Sequence, residues 1–251
     1  MAHIDARPNQ PADESDPALM STAESGVRWG GALMAAGLLV SLIGFIVWNL
    51  GVDNRAIAEA QDAATRATLF VKGRGAFEFT GWISVPADIA LVVGGLLLGA
   101  RPVHVRSRFP ASAFWLLVTV AGIQFLALDV LYATAFTGIA EAQGREPGLF
   151  GATEAVANAL FTVSIATISI GLAGVFWVEA RSTTAAMPQW LAYAGIAGCV
   201  SSFIGALGPT LHLGALTAFL VLSILVFAAA IFLGFRIAHA GARSQASPTS
   251  R

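Results

Sequence analysis

An all-α bundle of six membrane-spanning helices is the fold this sequence predicts, and three observations predict it. Charged residues make up only 12% of the 251 residues, against 56% hydrophobic, whereas soluble domains carry about 25% charged residues. The charges that remain cluster between long windows that contain none. Those windows reach about 20 residues or more, the length a helix needs to cross the hydrocarbon core. A mean hydropathy of +0.73 agrees. The net charge of −1 and pI near 6.4 supply no basic surface, so nucleic acid is not expected as a partner. The expected partners are the lipid bilayer and a small or lipid-soluble ligand.

Residues 1–27 are polar and rich in Pro, Asp, Ser and Ala, and read as a disordered N-terminal tail. They lack the apolar core of a signal peptide. Residues 29–52 form helix one, uncharged between Arg28 and Asp53, with Trp29 and Trp48 near its ends as interfacial aromatics. Residues 53–77 are the longest interior polar segment. The Ala-rich stretch 56–71 predicts a short extramembrane helix on or near the membrane surface, with Asp62 and Arg66 spaced for an i,i+4 ion pair. A plain flexible loop is the alternative there.

Helix two, 79–100, lies between Glu78 and Arg101 and contains Pro86, which frees a backbone carbonyl. Helix three lies within 111–140, long enough to tilt or to extend beyond the bilayer. Helix four lies within 151–178. The window 182–235 has no Asp, Glu, Lys or Arg and is broken at Gly208-Pro209, which divides it into helix five, 189–207, and helix six, 213–235. A six-helix domain over 28–238 thus separates the N-terminal tail from a polar C-terminal tail over 239–251.

Six spans put both termini on one side. That side carries Arg7, Arg28, Arg101, Arg106, Arg108, Arg181, Arg236, Arg243 and Arg251; the other carries Arg55, Arg66, Lys72, Arg74 and Arg145. The excess places the termini in the cytoplasm of a plasma-type (inner) membrane and the 53–77 segment outside.

Two carboxylates, Asp88 and Asp129, sit alone within apolar spans. Charge at such depth is costly in lipid and marks a partner, a cavity or a pathway. Asp88 lies ten residues from Glu78 and Asp129 twelve from Glu141, so at about 1.5 Å per residue the two reach similar depths in antiparallel neighbours. Helices pack about 8–10 Å apart, so the side chains can meet, and two carboxylates sharing a site do not both ionise easily. Ser84, Gly81, Gly95 and Gly99 fall near the Asp88 face, and small residues let membrane helices approach closely. Tyr132 is placed to donate to Asp129. Glu154, Asn158, Thr162, Ala166, Ser169 and Ala173 form a stripe on helix four. The polar groups gather in the outer half, which suggests a pocket opening outward and lined by Asp88, Asp129, Glu154, Asn158, Tyr132 and Ser84. The bland reading is that these groups only bond helices together, with Asp88 capping the disturbance at Pro86.

No metal site or cofactor is expected. His3, His104, His212 and His239 fall in tails and loops without ligand spacing, and a single cysteine, Cys199, forms no internal disulfide or cluster.

At Met187-Pro188-Gln189-Trp190-Leu191-Ala192-Tyr193-Ala194-Gly195 the chain resembles a bacterial family of six-helix integral membrane proteins whose domain has no assigned function. The long segment after helix one and the closing Gly234-Phe235-Arg236 share the likeness, which covers most of 28–237. The resemblance implies fold and location, and no catalytic residues. Three function classes stay open: a membrane protein of unassigned activity whose polar residues are mainly structural, a proton-coupled or cation-binding carrier using Asp88 and Asp129, and a membrane-embedded enzyme using those carboxylates as acid and base on a lipid-soluble substrate. The absence of an obvious internal repeat weighs against the carrier.

Overall fold

The structure is a computed structural model that describes residues 17–100, 111–146, 148–183, 185–211 and 213–244. Six of its helical stretches are long and apolar enough to cross a membrane, and no strand occurs among the described residues. The spans are α1 (Pro17–Gly51), α4 (Arg74–Gly99), α5 (Ala111–Thr134), α7 (Leu149–Arg181), α8 (Gln189–Leu211) and the last, in which a 3-10 segment (Gly214–Leu222) leads into α9 (Ser223–Ser244). Short helices α2 (Asn54–Glu59), α3 (Ala63–Lys72) and α6 (Phe136–Glu141) complete the order.

The spans follow chain order around a ring. α1 packs on α4, α4 on α5, α5 on α7, α7 on α8 and α8 on the last span, and α9 closes the ring against α1. Glycines make several of these seams: a Cβ at Gly31 would lie 2.8 Å from the Gly234 carbonyl oxygen, and one at Gly37 would lie 2.8 Å from that of Ala87. Such close approach is how helices associate where lipid offers no hydrophobic drive. The α1–α9 seam places the start of α1 and the end of α9 at the same end of the bundle, with α2 and α3 at the other.

Several sequence expectations are corrected. α1 begins at Pro17, inside the stretch read as tail, because residues 18–24 are mostly good helix formers. The segment after α1 forms two helices, not one. Asp53 and Asp62 each accept an N–H three residues on, Ala56 at 2.9 Å and Thr65 at 2.7 Å, and so start separate helices. As an N-cap, Asp62 is not the partner of Arg66. Helix three breaks at Ala135, and α6 folds against α3 instead of continuing. The last span starts as nine 3-10 residues, longer than the usual three or four. There the Ser201 hydroxyl donates to the Phe219 carbonyl at 2.9 Å, and that of Thr217 to Gly214 at 2.6 Å. The basic residues Arg7, Arg101, Arg106, Arg108 and Arg251, with His3, His104 and His212, lie outside the described residues.

Two cores flank the bundle centre. Toward the termini, Met34, Leu98, Trp115, Leu172, Phe176 and Leu233 fill the ring. Under α3, an aromatic cluster joins Phe70, Phe77, Tyr132, Phe136 and Phe150. Phe70 and Phe136 meet edge to face at 4.8 Å, a favoured arrangement. Trp29, Trp82 and Trp190 are more than half exposed, as interfacial anchors would be, but Trp115 is buried in the termini-side core.

Candidate functional site

α4 buries Gly81, Ser84, Asp88, Leu91 and Gly95, a stripe at three- and four-residue steps, with Thr80 beside it. Because residue 81 has no side chain, α5 lies against it: a Cβ there would stand 2.7 Å from the Asp129 carbonyl oxygen. Gly122 of α5 likewise faces the Asp88 carbonyl, at 3.5 Å. These two close approaches bring the acids together. The Asp88 and Asp129 carboxyls lie beside each other, with the Ser84 hydroxyl next to Asp129. Asp88 is only 3% exposed, yet its Oδ2 has no hydrogen-bond partner. Pro86 is exposed on the opposite side of α4, so Asp88 does not cap it. Residues two apart on a helix do not face each other.

The pair borders a cavity of about 240 Å³ at the centre of the ring. All six spans contribute to its wall, and so does the cap: Ile57 and Ala58 of α2 and Phe70 of α3 form part of the lining. Leu38, Leu91 and Leu172 belong both to the wall and to the packed termini-side core, which forms the floor. The wall is mainly apolar, with seven aromatic side chains and scattered hydroxyls and amides. One seam is weaker than the others. α1 packs along α9, but the 3-10 segment leans on α8 and α2, so side chains close the wall there, the Phe45 and Phe227 rings lying 5.9 Å apart.

Asp88, Asp129, Ser84, Tyr132 and Asn158 all line this one cavity. Glu154 does not. It accepts from Arg66 Nε at 2.7 and 2.9 Å, and Arg66 Nη1 donates to the Ala60 carbonyl at 2.9 Å. Both side chains are largely buried, at 12% and 5% exposure. This ion pair latches the cap to α7, so cap residues form part of the wall where the sequence suggested an opening. Outside the membrane the Thr65 N–H and hydroxyl hold the Asp62 carboxyl below its ordinary value.

Sequence reasoning missed the cap residues and Trp48. Trp48 read as an interfacial anchor, but it lines the cavity and donates from Nε1 to Asn54 Oδ1 at 2.7 Å. A usable signal was the run of amides at Asn49 and Asn54 beside it, too polar for a plain helix end.

The fold and site define an integral membrane helix bundle with a central acid-bearing chamber. No protein-family model matches the chain, and neither the curated proteins nor the solved structures compared with it include a match.

Proposed function

We propose that this protein holds a small lipid-soluble molecule in the lumen of its helix ring, with the Asp88–Asp129 pair as the polar contact and the store of one exchangeable proton. The observation that carries this reading is the placing of Asp88 and Asp129 together on the wall of an aromatic-lined cavity. Apolar pockets with a few convergent polar groups are the usual form of small-molecule sites. A purely structural pair would satisfy its oxygens with neighbouring helices. The filled termini-side half supports a chamber with access from one side over a carrier open in turn to both. The shared proton is what acid/base chemistry on the bound molecule would use. The distribution of basic residues supports termini in the cytoplasm and a cap on the outer face of a bacterial-type plasma membrane.

The test is photolabelling in bilayers with an aliphatic diazirine alcohol, followed by peptide mapping. Labels are expected on lumen residues such as Phe125 and Ile165, and are expected to vanish when Ser169→Phe fills the lumen. Asp88→Asn and Asp129→Asn are expected to accumulate in the membrane as the wild type does. Labels confined to lipid-facing positions, or failure of both variants to accumulate, would leave the acids as structural groups.

A further inference from the structure

We infer that the molecule held in the lumen enters sideways from the bilayer, through the seam between α1 and the 3-10 start of the last span. This rests on the chamber reading above and names the route to the same site. Gly31 lies against the Gly234 carbonyl. Counting from that contact along the antiparallel pair, α1 beyond Ser41 runs level with the 3-10 segment, Gly214–Leu222. Toward the termini α1 packs closely on α9, but the 3-10 segment packs on α8, α2 and α9 instead. Its side-chain bonds run the same way. The Ser201 hydroxyl of α8 donates to the Phe219 carbonyl at 2.9 Å, and the Ser202 and Ser223 hydroxyls lie 2.7 Å apart. A 3-10 helix is slimmer than an α-helix, and its hydrogen bonds are poorer. The segment is therefore thin enough to leave a gap beside α1 and ready to shift.

Side chains from both elements cross this gap. Phe45 and Phe227 both line the cavity, and their rings lie 5.9 Å apart. Phe45 is six residues, about 9 Å, inside the end of α1 at Gly51, so the ring pair sits at hydrocarbon depth. Around it Ile43, Ile46, Val221, Leu222 and Ile224 present exposed apolar surface, which suits acyl chains and not water. Asn49, one turn from Phe45, lines the cavity and is itself exposed, whereas the other lining residues are buried or half-buried. The lumen thus comes to the surface along α1, beside the seam. Two rings in contact swing aside by rotamer changes, which are fast and move no helix. Entry through the cap would instead break the buried Arg66–Glu154 pair, a far costlier step. The cavity of about 240 Å³ compares with about 150 Å³ for one that takes benzene, so it admits one chain or ring system and not a two-chain lipid.

Cys199→Ala removes the one native thiol, and Ser169→Cys then places a single thiol on the lumen wall. Ile165→Cys, also on the wall, is the second reporter if the first does not accumulate. In liposomes the thiol is reacted with N-dodecylmaleimide, delivered through the bilayer, and with a charged methanethiosulfonate from the water. Phe45→Ala and Phe227→Ala are each expected to speed the maleimide by about two- to tenfold, the worth of one ring contact, and to leave the charged reagent's rate unchanged. Arg66→Ala is expected to leave the maleimide rate unchanged. Maleimide rates that neither ring variant raises, or that only Arg66→Ala raises, overturn the side entrance while leaving the chamber standing. Equal acceleration of both reagents by the ring variants reports general loosening and overturns it too. A thiol that neither reagent reaches in any variant, yet that reacts after denaturation, overturns the chamber as well.

Discussion

The two halves of the helix ring are built from the same six spans, yet one is solid and the other hollow. In the termini-side half, glycines lie in the α1–α9, α5–α7 and α7–α8 seams: Gly31 against Gly234, Gly171 against the Phe114 carbonyl, and Gly195 against the Phe176 ring. Backbones approach closely at such positions, the ring narrows, and Met34, Leu172, Phe176 and Leu233 fill what remains. In the cap-side half the glycines remain in the α1–α4, α4–α5 and α8 seams, at Gly44, Gly81, Gly205 and Gly208. In the other three seams larger side chains take over, with Phe45 facing Phe227 and Thr162 donating to the Ala206 carbonyl at 3.2 Å. With three tight seams and three looser ones, the lumen opens. The acids sit on a tight seam, which fixes their geometry, and border the open space. Rigidity on one side of a site and room on the other is what ligand recognition asks of a scaffold.

The cap forms part of the wall of the hollow half, and the largest expected effect comes from removing its latch. Arg66→Ala leaves Glu154 buried without its cation. Breaking a buried pair in this way costs about 3–5 kcal/mol. Hydrogen exchange is expected to rise across α2 and α3, while the amides of α1 and α9 near Gly31 and Gly234 stay protected. If exchange rises equally at both ends, the two halves are one cooperative unit.

A smaller effect sharpens the same contrast. Ala192 is fully buried in the termini-side core, and Ser169 lines the lumen. Enlarging both to leucine tests solid against hollow with one side chain. Overpacking a filled core costs about 1–3 kcal/mol, so Ala192→Leu is expected to lower the thermal midpoint. Ser169→Leu finds space and is expected to leave it unchanged or raise it. Equal losses in thermal unfolding would mean that the lumen is not available volume.

Much of this was readable in the sequence. The spans were legible because hydrocarbon thickness sets a length that uncharged windows reveal directly. Asp88, Asp129, Ser84, Tyr132 and Asn158 were legible because a polar group in a span is rare enough to stand out and helical period gives its face. The fate of Glu154 was not legible. Its partner Arg66 is 88 residues away, and the nearer Asp62 offered a simpler local pairing that N-capping then removed. The cap's share of the wall was hidden for a similar reason: Ile57, Ala58 and Phe70 look like an ordinary amphipathic stretch until their packing is known. The 3-10 start of the last span left no mark either, because its residues have the same apolar composition in either helical form.

The smallest expected effect lies at Asp62, which starts α3 and so sets the register in which Phe70 reaches the lumen. The Thr65 N–H and hydroxyl stabilise its ionised form and hold its carboxyl below the ordinary value. A group with a lowered folded value stabilises the fold above its unfolded value and loses that contribution as pH falls through the folded one. In the wild type, hydrogen-exchange protection of residues 63–67 is therefore expected to be steady near neutrality and to fade only at acid pH, below the usual carboxylate range. Asp62→Asn retains an acceptor and should remove that pH dependence while preserving most of the protection. Asp62→Ala should lower protection of the first turn of α3 at every pH, with no change in α4, because the rest of the cap is held by the Arg66–Glu154 pair and the aromatic cluster around Phe70. If protection of α3 is the same in all three proteins, the cap is positioned by its latch and rings alone, and the N-cap sets only where the helix begins.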